Sequence, residues 1–338
     1  MPAPLIWMLM VLPFVLWGTA MAAMAPLVSS GGPWLVAGLR LFPAGLLLLL
    51  TLPLLGRSWR LDPRDLGWCL AFTVVDATLF QGLLAQGLRF TGAGLGSVLI
   101  DSQPLMVALL ARLLFADPIN PVGWFGLSLG LVAIACLGLP APVLQEWWLQ
   151  GPSAGFLTAG AGGTLLMLGA ALAMASGTVL SRYACRHSDP VAVTAWHMLA
   201  GSLPLLLAHV LTVGPPAQTA STLLPPWGPA EWGLMAYASL FGGAIAYGLF
   251  FWFAGRGSLT SFTSLTFLTP VFALICGVLL LGERLHPLQW LGVLLALLSV
   301  LLIHQRARLW SGGTAGGTRP AEVALSGAAS QPEEALQP

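Results

Sequence analysis

The amino-acid sequence predicts an all-α integral membrane protein of ten transmembrane helices, arranged as two inverted five-helix repeats. Three observations predict it. First, only 7% of the 338 residues are charged while 57% are hydrophobic, and the mean hydropathy is +0.87. A soluble domain carries about 25% charged residues, and a surface this poor in charge would aggregate in water. Second, the apolar residues gather into ten runs, most of them long enough to cross a bilayer. Third, the later half of the chain repeats landmarks of the earlier half at a nearly constant spacing.

A helix needs about 20 apolar residues to cross about 30 Å of hydrocarbon. The runs fall at 5–24, 33–55, 66–88, 94–115, 121–139, 164–184, 190–212, 231–254, 259–281 and 287–305. The first could pass for a signal peptide, but it lacks a charged leader, is as long as a span and is followed by more such runs. Two Pro/Gly-rich connections remain, about 140–163 and 213–230, and Trp147-Trp148 in the first suits the headgroup zone. The expected organisation is a first repeat over 1–139, an extracytoplasmic connection over 140–163, a second repeat over 164–305 and a disordered cytoplasmic tail over 306–338. Cys69, Cys136, Cys185 and Cys276 lie far apart, without metal-ligand spacing, and read as packing residues.

Orientation follows from the arginines. An inside N-terminus gives the cytoplasmic side Arg57, Arg60, Arg64, Arg112, Arg182, Arg186, Arg256, Arg306, Arg308 and Arg319, and the other side only Arg89 and Arg284. That is a positive-inside bias, so both termini are expected in the cytoplasm of a multi-pass protein of the cell (inner) membrane.

A shift of 166 positions lays Gly82 on Gly248, Pro104 on Pro270, Asp117 on Glu283, Pro121 on Pro287, Trp124 on Trp290 and Gly126 on Gly292. At slightly smaller offsets Gly18-Thr19 falls on Gly177-Thr178, and Pro33 on Pro190. Five spans is an odd number, so the second half must thread the bilayer in the opposite sense. Inverted repeats mark secondary transporters, whose two halves rock about a site near the midplane.

Leu16-Trp17-Gly18-Thr19, the run Ala37-Gly38-Leu39-Arg40-Leu41-Phe42-Pro43-Ala44-Gly45, Pro104, and Leu281-Gly282-Glu283-Arg284-Leu285 with Pro287-Leu288-Gln289-Trp290-Leu291-Gly292 carry a resemblance. The chain resembles the drug/metabolite transporter superfamily, and within it the EamA-type group with two five-helix repeats, over about residues 5–305. The first half departs from the pattern at Ala116-Asp117-Pro118-Ile119. The resemblance implies a carrier of small metabolites such as amino acids, commonly an exporter. It also implies a central cavity built by helices 1–4 and 6–9, with helices 5 and 10 peripheral.

A charge inside a span is costly and usually faces a partner or a wet cavity. Arg40, Asp76 and Asp101 are such charges. Arg40 and Asp101 lie at similar depths, roughly 10 Å in at 1.5 Å per residue, so the geometry permits an ion pair between them. Arg40 then binds a substrate carboxylate, or releases it by exchange with Asp101; a permanent structural pair is the alternative. Asp76, near the middle of its span, could carry a proton or hold a substrate amine. Arg40 falls opposite His197 in the repeat, Asp76 opposite Gly242 and Asp101 opposite Phe267. Charge is thus concentrated in the first half, and Trp196, Tyr247, Trp252 and Phe267 supply an aromatic wall in the second. The substrate-binding set is therefore Arg40, Asp76, Asp101, Gln81, His197 and Tyr247, with Gln86 and Gln103 as further hydrogen-bonders. Pro104 and Pro270 are expected to kink their helices as gates or bends. Gly126 and Gly130 offer a close-packing face.

A proton gradient is a candidate driving force. Scattered histidines and the lack of a nucleophile or metal motif speak against a membrane-embedded enzyme acting on a lipid-like substrate, and no Walker-type loop supports an ATP-driven pump. A passive channel stays open. No catalytic residue, metal or cofactor is expected. The expected partners are a small-molecule substrate and the lipid bilayer, not nucleic acid, with a homodimer as an option.

Overall fold

Inside hydrocarbon no water meets the backbone, so apolar segments close their hydrogen bonds internally and wind into helices. The computed structural model describes residues 3–116, 119–138, 161–213, 224–272, 275 and 287–310, and no strand occurs among them. Helices α1 (Ala3–Gly31) and α2 (Pro33–Leu54) form an antiparallel pair, joined by Gly32 at φ 80°, a conformation only glycine adopts cheaply. Then come α3 (Leu66–Phe72), continued by a π-helical segment Thr73–Phe80, α4 (Gln81–Ile100), α5 (Gln103–Phe115) and α6 (Pro121–Gly138). The second series is α7 (Ala161–Ala184), α8 (Pro190–Val213), and α9 (Pro229–Ser239) with a π-helical segment Leu240–Ile245 running into α10 (Ala246–Ala254). It ends with α11 (Leu259–Thr263), a 3₁₀ turn Ser264–Leu268 and α12 (Pro287–Leu309).

Seven helical stretches among the described residues are long and apolar enough to cross a membrane. Three shorter apolar helices, Gln103–Phe115, Pro121–Cys136 and Leu259–Phe272, accompany them. The two irregular types recur at matched places. The π segments stand 166 residues apart within a residue or so. So do the interruption at Asp101–Ser102, just before Pro104, and the 3₁₀ turn just before Pro270.

Packing brings the two series together. Helix α2 lies along α8, and Gly45 lets the backbones touch: a methyl there would sit 2.6 Å from the Leu199 amide nitrogen. Helix α6 lies along α12, where the Ser299 hydroxyl donates to the Gly126 carbonyl at 2.6 Å. Gly130 turns instead to the ring of Phe267. Leucines such as Leu50, Leu113, Leu294 and Leu298 cover the outside.

The elements differ from expectation in three places. Helix α1 continues through Pro26 to Gly31, past the expected end at 24, and α12 runs on to Leu309, so the first residues assigned to a tail are helical. The backbone stays helical through residues 89–93, where a turn between spans was expected, and breaks instead at Asp101–Ser102. Pro104 cannot donate to the carbonyl four residues back and its ring crowds that turn, which is where the interruption falls. Trp147, Trp148, Asp117, Glu283, Arg284, most of both long connections and residues 311–338 lie outside the described residues.

Candidate functional site

The π segments place the polar groups. In an α-helix the Ala246 N–H would bond to the Gly242 carbonyl; here it bonds to Phe241 and Gly243 oxygens instead. The Gly242 carbonyl is left to accept from the Trp17 indole at 3.1 Å and from Arg40 Nη2 at 3.2 Å. Such bulges commonly sit at functional sites because they release backbone groups.

Arg40 is buried, and around it a network closes. Its Nη1 donates to Gln81 Oε1 at 3.4 Å, its carbonyl accepts from Ser239, and Gln81 Nε2 donates to the Tyr247 hydroxyl. The guanidinium lies 5.7 Å from the Tyr247 ring centre, within cation–π reach. Its Nε has no partner.

Beside it, Asp76 and His197 meet, each 1% exposed. Asp76 Oδ2 lies 3.0 Å from His197 Nε2, and His197 Nδ1 lies 2.7 Å from the Thr194 carbonyl. Phe72 stacks on the imidazole at 4.1 Å and Phe251 meets it edge-on, so the ring has one orientation. The Tyr247 ring stands 6.4 Å from that of His197 and links the two clusters. Asp76 Oδ1 has no partner, and its side chain rests on Gly177, where a methyl would come within 2.5 Å of Asp76 Cβ.

The expected site residues thus divide. Arg40, Asp76, Gln81, His197 and Tyr247 meet in one buried region. Asp101 does not pair with Arg40. It is buried at the α4–α5 interruption with no hydrogen-bond partner among the described residues, while Arg40 spends its donors on Gln81 and Gly242. Equal depth fixed a height but not the side of the helix each residue faces. Gln103, next to that interruption, donates to Thr178 at 3.3 Å. Pro104 opens α5, where its missing N–H costs nothing, and Pro270 follows the 3₁₀ turn. Of the expected aromatic wall, Trp196 bonds to the Trp59 carbonyl, Trp252 lies between Arg57 and Arg256, and Phe267 packs on Gly130. Trp17, Phe250 and Phe251 take their place around Tyr247.

The two ends of the bundle differ. At the arginine-rich end Arg57 bonds to Asp189 at 2.8 Å and both Arg57 and Arg256 cover the Trp252 ring. There too Asp65 accepts from the His187 backbone at 2.8 Å and lies 2.9 Å from its ring. Burial pushes the Asp65 carboxyl up, but hydrogen bonds from the His187 ring and backbone and from Ser188 outweigh it and hold Asp65 below the usual carboxylate range. At the other end a cavity of about 670 Å³ opens between Met21, Trp34, Leu88, Arg89 and His209. Trp34, which lines the cavity, packs against Gly82, the residue next to Gln81.

The sequence profile of the EamA-like transporter family matches residues 5–139 and again 161–305. The chain belongs to that family. Among EamA-like relatives, it is 49% identical over 303 residues to the uncharacterized transporter sll0355 of Synechocystis sp., covering 89% of this chain and 90% of that one. It is 42% identical over 310 residues to the chloroplastic WAT1-related protein At3g02690 of Arabidopsis thaliana, covering 88% and 69%. With the uncharacterized inner membrane transporter YedA of Escherichia coli it shares 28% over 296 residues, covering 86% and 87%. A crystal structure 19% identical superposes with a TM-score of 0.73 over 90% of this chain and 98% of the other, which speaks for the fold alone. An EamA-like chain of this kind belongs in a membrane and handles a small molecule.

Sequence reasoning missed Trp17, Gly177 and Gly242 as parts of the site. The repeat had set Gly177 beside Gly18 and Gly242 opposite Asp76, a signal that those positions matter, without showing that one seats a carboxylate and the other frees a carbonyl.

Proposed function

We propose that this chain is a secondary transporter that exports a small amphiphilic metabolite with an acidic group, by alternating access about the Arg40–Gln81–Tyr247 network. The single observation that carries the reading is the Gln81–Tyr247 hydrogen bond. The two residues are 166 apart, the same shift that aligns the halves, and a residue touches its own repeat mate only near the axis relating them. That supports ten spans in two inverted halves, with the buried Arg40 at their common axis. The cavity at one end and the ion-paired contacts at the other support the reading of a carrier open to one side. The positive-inside distribution favours that open side as extracytoplasmic, with both termini in the cytoplasm and the chain in the cell membrane.

The test is counterflow. The full chain in liposomes preloaded with unlabelled amino acids and small carboxylates should accumulate a labelled trace of its substrate, saturably and transiently, because a carrier must bind cargo to reorient. R40Q should reduce this at least tenfold without loss of fold. Flux that rises linearly with concentration, with no counterflow for any compound, would indicate a channel and reject the carrier.

A further inference from the structure

We infer that Asp76 and His197 hold one shared proton, and that this proton and a monoanionic group of the cargo on Arg40 load together as an electrically neutral pair. The inference rests on the transporter reading and names its cargo class and coupling ion.

The tautomer follows from geometry. A carbonyl oxygen only accepts, so with Thr194 O at 2.7 Å the hydrogen of the imidazole must sit on Nδ1. His197 Nε2 then faces Asp76 Oδ2 at 3.0 Å. If neither atom carried a proton, two lone pairs would oppose each other at hydrogen-bond distance in a buried place. One proton therefore lies between them, whether written as imidazolium and carboxylate or as imidazole and carboxylic acid. In both forms the pair is neutral. The orphaned Asp76 Oδ1 favours the carboxylic-acid form of the pair, since an ionised buried carboxylate needs donors on both oxygens.

The charge of the region then falls on Arg40. A guanidinium stays protonated in proteins. Its partners here are a side-chain amide and a backbone carbonyl, both neutral, and its Nε has none. Among the described residues no carboxylate pairs with it: Asp76 is engaged by His197, and Asp101 lies at the α4–α5 interruption. The other titratable group facing the pair is Tyr247, from α10; Gly177 and Thr178 of α7 and Phe72 of α3 bring no charge. A buried, uncompensated cation in a low-dielectric interior calls for an anion. When the shared proton leaves, the dyad becomes negative and answers Arg40 in the anion's place. Proton and anion thus favour each other's binding, and by linkage the coupling is reciprocal.

The dyad also joins the two series, Asp76 from the first and His197 from the second. Movement of one half against the other separates the oxygen from the nitrogen, and the proton passes to water as the cargo anion departs. An exporter built this way runs on the metabolite's own outward gradient.

The experiment uses the purified full chain and three probes, acetate, benzoate and indole-3-acetate, each beside its neutral amide, from about pH 6 to about pH 9.5 where all three acids are ionised. At least one anion should bind and its amide should not, and the anion's affinity should fall at least tenfold as pH rises. In weak buffer at the alkaline end, binding should take up one proton per anion in the wild type, a readout that needs no variant. D76N leaves an amide N–H that can donate to His197 Nε2 and so mimics the loaded pair. It should bind the anion with no pH slope and no proton uptake, whereas R40Q should not bind it. The inference is overturned if no anion outbinds its amide, if wild-type binding takes up no proton, or if D76N keeps the slope. Counterflow that persists without proton uptake sinks only this inference; absent counterflow sinks the transporter reading itself.

Discussion

Gly177 shows how tightly single residues set the site. A methyl there would lie 2.4 Å from Asp76 Oδ1 and 2.5 Å from Asp76 Cβ, and Cβ cannot retreat without moving the helix. Overpacking of this kind costs about 1–3 kcal/mol. G177A should lower the thermal midpoint in detergent and also slow transport, because relief requires Asp76 to turn from His197. A variant with an unchanged midpoint and full transport would show that Asp76 has room to spare. At this scale the sequence picked out candidate residues more readily than what they touch. Arg40 and Asp76 stood out because charge is costly in a span. The Asp76–His197 pair joins residues 121 apart, and no spacing rule reaches across two halves. Depth arithmetic misled for Arg40 and Asp101, since rise along a helix leaves rotation about its axis undetermined.

Among the elements, the prolines were legible and the π segments were not. A proline carries its constraint in its own ring, so Pro104 and Pro270 were expected to bend their helices, although Pro13, Pro26, Pro43, Pro53 and Pro204 sit inside continuous ones. The π segments Thr73–Phe80 and Leu240–Ile245 have no such residue signature, as an extra residue in a turn is a matter of hydrogen-bond bookkeeping along the whole helix. Their matched placement nonetheless follows the repeat that the sequence displayed. The interruption before Pro104 has a mechanical reading: α5 can swing on Asp101–Ser102 without breaking a continuous helix. P104A supplies an N–H at a position where none is needed, so stability should change by less than about 1 kcal/mol. Transport should still fall severalfold, because without the ring, which crowds the preceding turn, Asp101–Ser102 can re-enter helix and stiffen the joint. Equal turnover of P104A and wild type at equal thermal midpoint would reduce this interruption to a static bend.

For the whole molecule, the arginine-rich end is fastened by contacts between loops that the sequence placed on one side but could not pair. Asp65, ahead of α3, accepts hydrogen bonds from the His187 backbone and ring just after α7, and Asp62 N–H donates to Ser188 at 2.9 Å. The connections 55–65 and 185–189 are thereby fastened. Because Asp65 lies below the ordinary carboxylate range when folded, its contribution is fully present above the unfolded value of about 4. It is lost as pH falls through the lower folded value, when the proton occupies the oxygen that His187 needs. Wild type and D65N should therefore differ in thermal midpoint by a constant amount from about pH 7 down to about pH 5, wild type being the more stable. Below about pH 4 the two curves should converge. A difference that persists undiminished at pH 3 would mean that Asp65 acts through shape alone, and that this end is held by Arg57–Asp189 rather than by the Asp65 carboxylate.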